Sequence, residues 1–153
     1  MQTSEPFIRI SVRDQRLDLL SGEKVLLSYP VSTSRFGLGS EEGSLKTPLG
    51  KFKIGEKIGH GLPVGTVFRS RIPLAPEEVT LATDDQVLSR ILWLDGLEEH
   101  NANTRDRFIY IHGTNHEDKI GQAASHGCIR MKNADLVALF DQVPLGTEVW
   151  IET

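Results

Sequence analysis

Apolar residues recur at every second position along much of this chain and at helical spacing in one segment only. Ile8, Ile10 and Val12 alternate with Arg9, Ser11 and Arg13, the period of a strand with one buried face. Leu17 and Leu19 continue the pattern after the polar step Asp14-Gln15. Ser21-Gly22-Glu23-Lys24 reads as a turn and Val25 to Val31 as the returning strand of a hairpin. Lys51-Phe52-Lys53-Ile54 resumes the alternation, Arg90 to Leu94 is an apolar run, and Phe108-Ile109-Tyr110-Ile111 is a β-prone strand running into His112. Leu136, Leu139, Phe140 and Val143 sit at helical spacing, with Asn133 as N-cap and Pro144 and Gly146 as stops. Glu148 to Glu152 supplies a last strand. The fold class expected is mainly β with minor α.

Between these elements lie two segments rich in turn formers. Residues 32–50 are rich in Ser, Gly and Pro, too polar for a core, and are expected to form a long surface loop. Residues 55–66 hold four glycines and a proline and are expected to form a second loop or flap. Residues 67–83 show no clear period, and residues 95–107 read as a polar loop. No repeat divides the 153 residues, so a single domain over 1–153 is expected. A chain of this size buries roughly 68–70% of its unfolded surface and needs no disulfide or metal to fold. The net charge is −4 with no Lys/Arg cluster, which disfavours nucleic-acid and membrane partners.

The sole cysteine lies in Ser125-His126-Gly127-Cys128-Ile129-Arg130-Met131, downstream of His112. A cysteine thiol of ordinary pKa, about 8.5, is only slightly ionised near neutral pH. An imidazole can take its proton and return it to a leaving group. Gly127 lets backbone amides approach a substrate oxygen closely. Arg130, two residues on, shares a face with Cys128 if the segment is extended, and could hold a carboxylate by a two-pronged contact. Each residue also has a plainer reading. A lone cysteine is usually a small buried apolar residue. His112 could be a satisfied core histidine, and Arg130 a solvated or ion-paired surface residue. Spacing alone does not bring His112 and Cys128 together.

His112-Gly113-Thr114 followed by Ser125-His126-Gly127-Cys128-Ile129-Arg130-Met131 resembles the signature of the L,D-transpeptidase catalytic domain, the YkuD-like family. Thr47-Pro48-Leu49-Gly50-Lys51-Phe52 resembles that family's Thr-Pro-x-Gly segment, and Pro30-Val31-Ser32-Thr33 the strand end before it. The resemblance spans roughly residues 7–152. It implies a two-sheet β-sandwich with one helix after the catalytic cysteine, which lies under a flap. It implies Cys128 as nucleophile, His112 as base and the Gly113 carbonyl as the group orienting the imidazole. Amides of Gly127 and Cys128 would form the oxyanion hole, and Ser125, His126 and Arg130 would shape the substrate site. It implies no cofactor.

The activity so implied is cleavage of the diaminopimelate–D-Ala bond of peptidoglycan stem tetrapeptides or muropeptides through a cysteine thioester. Water as acceptor makes an L,D-carboxypeptidase of muropeptide recycling; an amine makes an exported L,D-transpeptidase that forms 3→3 cross-links. Carbapenems are expected to be covalent inhibitors. The sequence opens with no basic start and apolar run, so a cytoplasmic carboxypeptidase is expected; an export segment ahead of residue 1 would make it periplasmic. Two rival classes are a zinc hydrolase built on His112, His116, His126 and Cys128, and a muropeptide-binding module without activity. The zinc reading meets Gly113 inside His112-x-x-x-His116, after a strand rather than on a helix, and lacks a Glu after His112.

Overall fold

A computed structural model describes residues 5–79 and 86–153. β1 (Phe7–Ser11), β2 (Arg16–Ser21) and β3 (Lys24–Ser32) form an antiparallel meander. The alternation places Ile8, Ile10, Leu17 and Leu19 on one buried face. At the polar step before Leu17 the chain turns: Gln15 adopts φ 48° and its side chain bonds Val12 O and Thr33 Oγ1, both at 2.7 Å. Asp14-Gln15 is therefore a turn between two strands, not a pause within one.

β4 (Gly50–Ile58) runs straight through Gly55, so the second loop begins only at residue 59. A register shift between Ile54 and Glu56 absorbs the flexible residue. A short hairpin of β5 (Val67–Arg69) and β6 (Ile72–Pro73) follows, then β7 (Val87–Gly96), β8 (Tyr110–Gly113), β9 (Ile129–Met131), α1 (Asn133–Gln142) and β10 (Glu148–Glu152). The stretch 67–83, without period in sequence, thus carries the β5–β6 hairpin; its residues 80–83 lie outside the described residues, as do residues 1–4 of the N-terminus.

The strands pair in the order β4-β10-β1-β2-β3-β9-β8-β7, and β4 pairs again with β7. Among the described residues the chain is mainly β with one α-helix, as expected, and the pairing of β4 with β7 closes the strands into one continuous hydrogen-bonded ring. β5 and β6 extend from the N-terminal end of β7, outside that ring. The ring and α1 share one core, to which the helix contributes Leu136, Leu139 and Phe140. A second apolar cluster lies on the other face of β7 and β8: Phe68, Ile91 and Tyr110, flanked by Ile58, Leu62, Val87, Trp93 and Cys128. No helix among the described residues is long and apolar enough to cross a membrane.

Two expectations fail locally for identifiable reasons. Asn133 is the first helical residue and Lys132 the N-cap. The orphan amide of Asn133 is met instead by Glu117 Oε2 at 2.6 Å, a carboxylate from the preceding loop. The 32–50 segment is not wholly surface: Ser32, Thr33, Ser34 and Thr47 are buried. Their polar groups are satisfied within the segment and across the fold, Ser34 N donating to Thr47 Oγ1 at 2.9 Å and Ser32 Oγ to Lys119 O at 2.8 Å.

Candidate active site

β8 and β9 are parallel, with Ile111 opposite Ile129 and His112 opposite Arg130. Ile111, Ile129 and Met131 point into the ring core. The alternate residues therefore face the other side, which puts Tyr110, His112, Cys128 and Arg130 on one surface of adjacent strands. Chain direction and register alone bring the two sequence-predicted groups to one face.

The Cys128 thiol is half-buried. Its Sγ accepts from the Tyr110 backbone N–H at 3.3 Å and donates to the Phe108 carbonyl at 3.3 Å. The amide favours the thiolate and the carbonyl the thiol, so sulfur is held in place in either state. Phe108 reaches it from outside strand geometry: φ is 58° and the residue is 50% exposed. The strand expected from residue 108 thus begins at Tyr110 because Phe108 bends the chain back toward sulfur.

His112 is 1% exposed. Its Nδ1 lies 2.5 Å from Gly113 O. A carbonyl can only accept, so Nδ1 carries the proton and Nε2 of the neutral ring is the acceptor nitrogen. Gly113 has no room for a side chain: a Cβ there would lie 2.1 Å from Asn133 Oδ1 and 2.7 Å from Leu88 O. Asn133 is fixed in turn, accepting from Ser89 Oγ at 2.7 Å and donating to Thr114 O at 2.9 Å. His116 lies apart, at the start of a 3-10 turn (Glu117–Lys119), with its backbone N–H donating to Thr114 Oγ1 at 3.0 Å.

Ser125 Oγ closes the turn that presents the thiol. It donates to Cys128 O at 2.6 Å and accepts from Gly127 N at 3.3 Å. Gly127 adopts φ 124°, and Thr47 Oγ1 donates to its carbonyl at 2.9 Å. That bond gives the Thr-Pro-x-Gly segment a physical role: it buttresses the turn before the cysteine. The Gly127 amide, expected in an oxyanion hole, is directed at Ser125 Oγ. His126 is exposed, tilts on the Phe36 ring at 5.8 Å and lies 3.4 Å from Arg35 Nη2. Arg130 is 3% exposed, so it sits in the floor of the site rather than on the surface.

Three residues absent from the sequence-based assignment complete the surroundings. Arg107 Nη2 donates to Lys46 O at 2.7 Å and pins the 39–46 loop beside Gly127. Burial pulls its guanidinium below the ordinary value, and neighbouring Cys128 and Glu41 pull the other way. Arg71 Nη1 donates to Tyr110 Oη at 3.0 Å. Burial raises the Tyr110 phenol above its ordinary value, against the lowering by Arg71. Basic residues at scattered positions carry no sequence signal for these contacts, which only the tertiary fold creates.

The profile of the L,D-transpeptidase catalytic domain (YkuD) matches residues 5–151. The chain belongs to the L,D-transpeptidase catalytic domain family. Within that family it is similar to YkuD of Bacillus subtilis, 29% identical over 144 residues, which are 94% of this chain and 64% of that protein. It is also similar to Bacillus subtilis YqjB, 50% identical over 52 residues, 33% of this chain and 30% of that protein. The chain thus spans less than two thirds of these L,D-transpeptidase relatives. Among solved structures, the L,D-transpeptidase LdtMt1 in complex with imipenem superposes with a TM-score of 0.61 at 19% identity, covering 98% of this chain and 59% of that one. At that identity the likeness establishes the L,D-transpeptidase fold.

Proposed function

We propose that this chain is a cysteine acyl-transfer enzyme acting on peptidoglycan stem peptides, with Cys128 as nucleophile and His112 as base. The single observation that carries the reading is the His112 Nδ1 contact with Gly113 O, which leaves Nε2 as the proton acceptor on the face shared with Cys128. His112 takes the thiol proton. Sulfur attacks the carbonyl of diaminopimelate in its amide with D-Ala. The C–N bond breaks, His112 returns the proton to the D-Ala nitrogen, and a thioester remains. Water, deprotonated by His112, then releases the tripeptide and restores the thiol.

Water is the acceptor we assign, which makes the activity L,D-carboxypeptidase. Arg71 donates to Tyr110, whose backbone holds the thiol, and Arg35 lies beside His126 in the turn that leads to Cys128; among the described residues no carboxylate pairs with either. An acceptor amine that arrives protonated meets like charge there before it can give up its proton and attack, whereas water does not. Incubating the protein with tetrapeptide and excess amine acceptor tests this by product mass. Tripeptide plus D-Ala is expected; a dominant cross-linked dimer would assign the transpeptidase reaction instead. Imipenem is expected to add its mass to the intact protein, on Cys128, and to leave the Cys128→Ala variant unmodified.

A further inference from the structure

We propose that Arg71, in the β5–β6 turn, grips a free carboxylate of the substrate beside the scissile bond. This rests on the peptide-cleaving reading above and adds the residue that selects the peptide. Ser70 and Arg71 have φ 49° and 68°, the two left-handed positions of a tight hairpin turn that usually takes Asn and Gly. Such backbone persists where surrounding contacts over-determine it. Here those contacts are aromatic. The Arg71 guanidinium lies 5.0 Å from the ring centroids of both Trp93 and Phe108 and donates to Tyr110 Oη. Phe108 and Tyr110 are also the residues whose backbone holds Cys128 Sγ. The hairpin cation and the thiol are therefore fixed on the same two residues.

Among the described residues, Arg71 differs from its neighbour Arg105 in having no carboxylate partner. Arg105 sits on the same Trp93 ring at 4.1 Å but is paired with Glu56 at 2.6 Å and Asp95 at 3.3 Å. Among the described residues no carboxylate lies within ion-pair distance of Arg71. Among the described residues its side chain donates to a phenol, and a guanidinium has five N–H donors in a planar fork that matches a carboxylate. Held by rings, it loses little freedom on binding. The sequence pattern assigned this grip to Arg130, which is 3% exposed and lies in the floor beside His112. A tetrapeptide ending in diaminopimelate–D-Ala offers two carboxylates near the cleaved bond, the D-Ala terminus and the second carboxylate of the diamino acid. Either presents the same chemistry.

The experiment compares three peptides: the acid, the D-alaninamide and the peptide amidated on the diaminopimelate side chain. Binding is measured by calorimetry to Cys128→Ala protein, and turnover with the active chain. Amidating the gripped carboxylate is expected to weaken binding about tenfold or more, and the affected peptide identifies which carboxylate is held. In the Arg71→Gln background, which keeps a donor for Tyr110 and removes the charge, acid and amide are expected to bind alike; Arg71→Lys restores part of the preference. Circular dichroism of each variant confirms folding. An acid-over-amide preference of equal size in Arg71→Gln overturns the proposal, as does equal binding of all three peptides to the Cys128→Ala protein. Arg71-dependent preference without turnover in the active chain would retain the carboxylate site and reject the peptidase reading.

Discussion

His112 shows how much one backbone contact decides. With Gly113 O accepting from Nδ1 at 2.5 Å, the ring cannot present the wrong nitrogen without breaking that bond. His112→Ala is therefore expected to lower kcat/KM by about 10²–10⁴-fold, while His116→Ala, whose described hydrogen bonds are made by its backbone, leaves it nearly unchanged. Equal losses in the two variants would favour a shared metal and sink the base assignment. Cys128→Ala is expected to abolish turnover at a stability cost on the order of 1 kcal/mol; activity and melting temperature, measured together, check both halves. Cys128 and His112 could be singled out in the sequence because a thiol and an imidazole are the side chains suited to the proposed chemistry. The groups on sulfur were not: Tyr110 N and Phe108 O are main-chain atoms, present at every residue, and only the left-handed turn at Phe108 aims its carbonyl. Arg71 was illegible for another reason, since its partner Tyr110 lies far along the chain.

Elements with one strong period were read correctly, and those whose ends depend on tertiary partners were not. β10 and α1 follow their patterns almost to the residue, whereas the alternation from Ile8 to Leu19 is cut into β1 and β2 by the turn at Gln15. β4 overruns its expected end because a bulge accommodates Gly55 and because β7 pairs with both sides of it. The start of α1 was misassigned for the same kind of reason: Asn133 has the right chemistry for a cap, but its side chain is taken by Ser89 and Thr114, and Glu117 caps the helix from outside. That cap links helix to site. Asn133 Oδ1 closes on the position of a Gly113 Cβ, and Gly113 O holds His112. Glu117→Ala is expected to destabilise the protein by about 1 kcal/mol, the usual cost of losing a cap, and also to lower kcat as Asn133 shifts. Denaturant unfolding and steady-state kinetics read the two effects separately; a stability loss with unchanged kcat would uncouple the helix start from the imidazole.

At the scale of the molecule, the main core and the proposed site occupy opposite faces of the same strands. The ring core gathers residues from β1, β2, β3, β4, β7, β8, β9, β10 and α1, so most of the apolar burial that opposes chain entropy lies inside the ring. The smaller cluster of Phe68, Ile91 and Tyr110 lies outside it, between the β5–β6 hairpin and the strands bearing Cys128 and His112. The period-two pattern could announce the ring core, because every second residue points there. It could not announce the outer cluster, which forms only when the hairpin folds over β7. This division predicts opposite phenotypes. Ile10, fully buried in the ring core, loses three carbons in Ile10→Ala and leaves a cavity. The cost is expected to be about 2–5 kcal/mol, a fall in Tm of roughly 5–20 °C for a domain of this size. The folded fraction keeps its kcat, because the ring interior does not touch the thiol. Phe68→Leu is expected to cost only about 1–2 kcal/mol but to lower kcat/KM by more than Ile10→Ala does, because it loosens the hairpin that carries Arg71 over Tyr110. Thermal melts and kinetics of the two variants at a temperature where both are folded decide it. If Phe68→Leu matches wild type in kcat/KM while Ile10→Ala loses activity, the outer cluster is mere packing and the separation of the two faces fails.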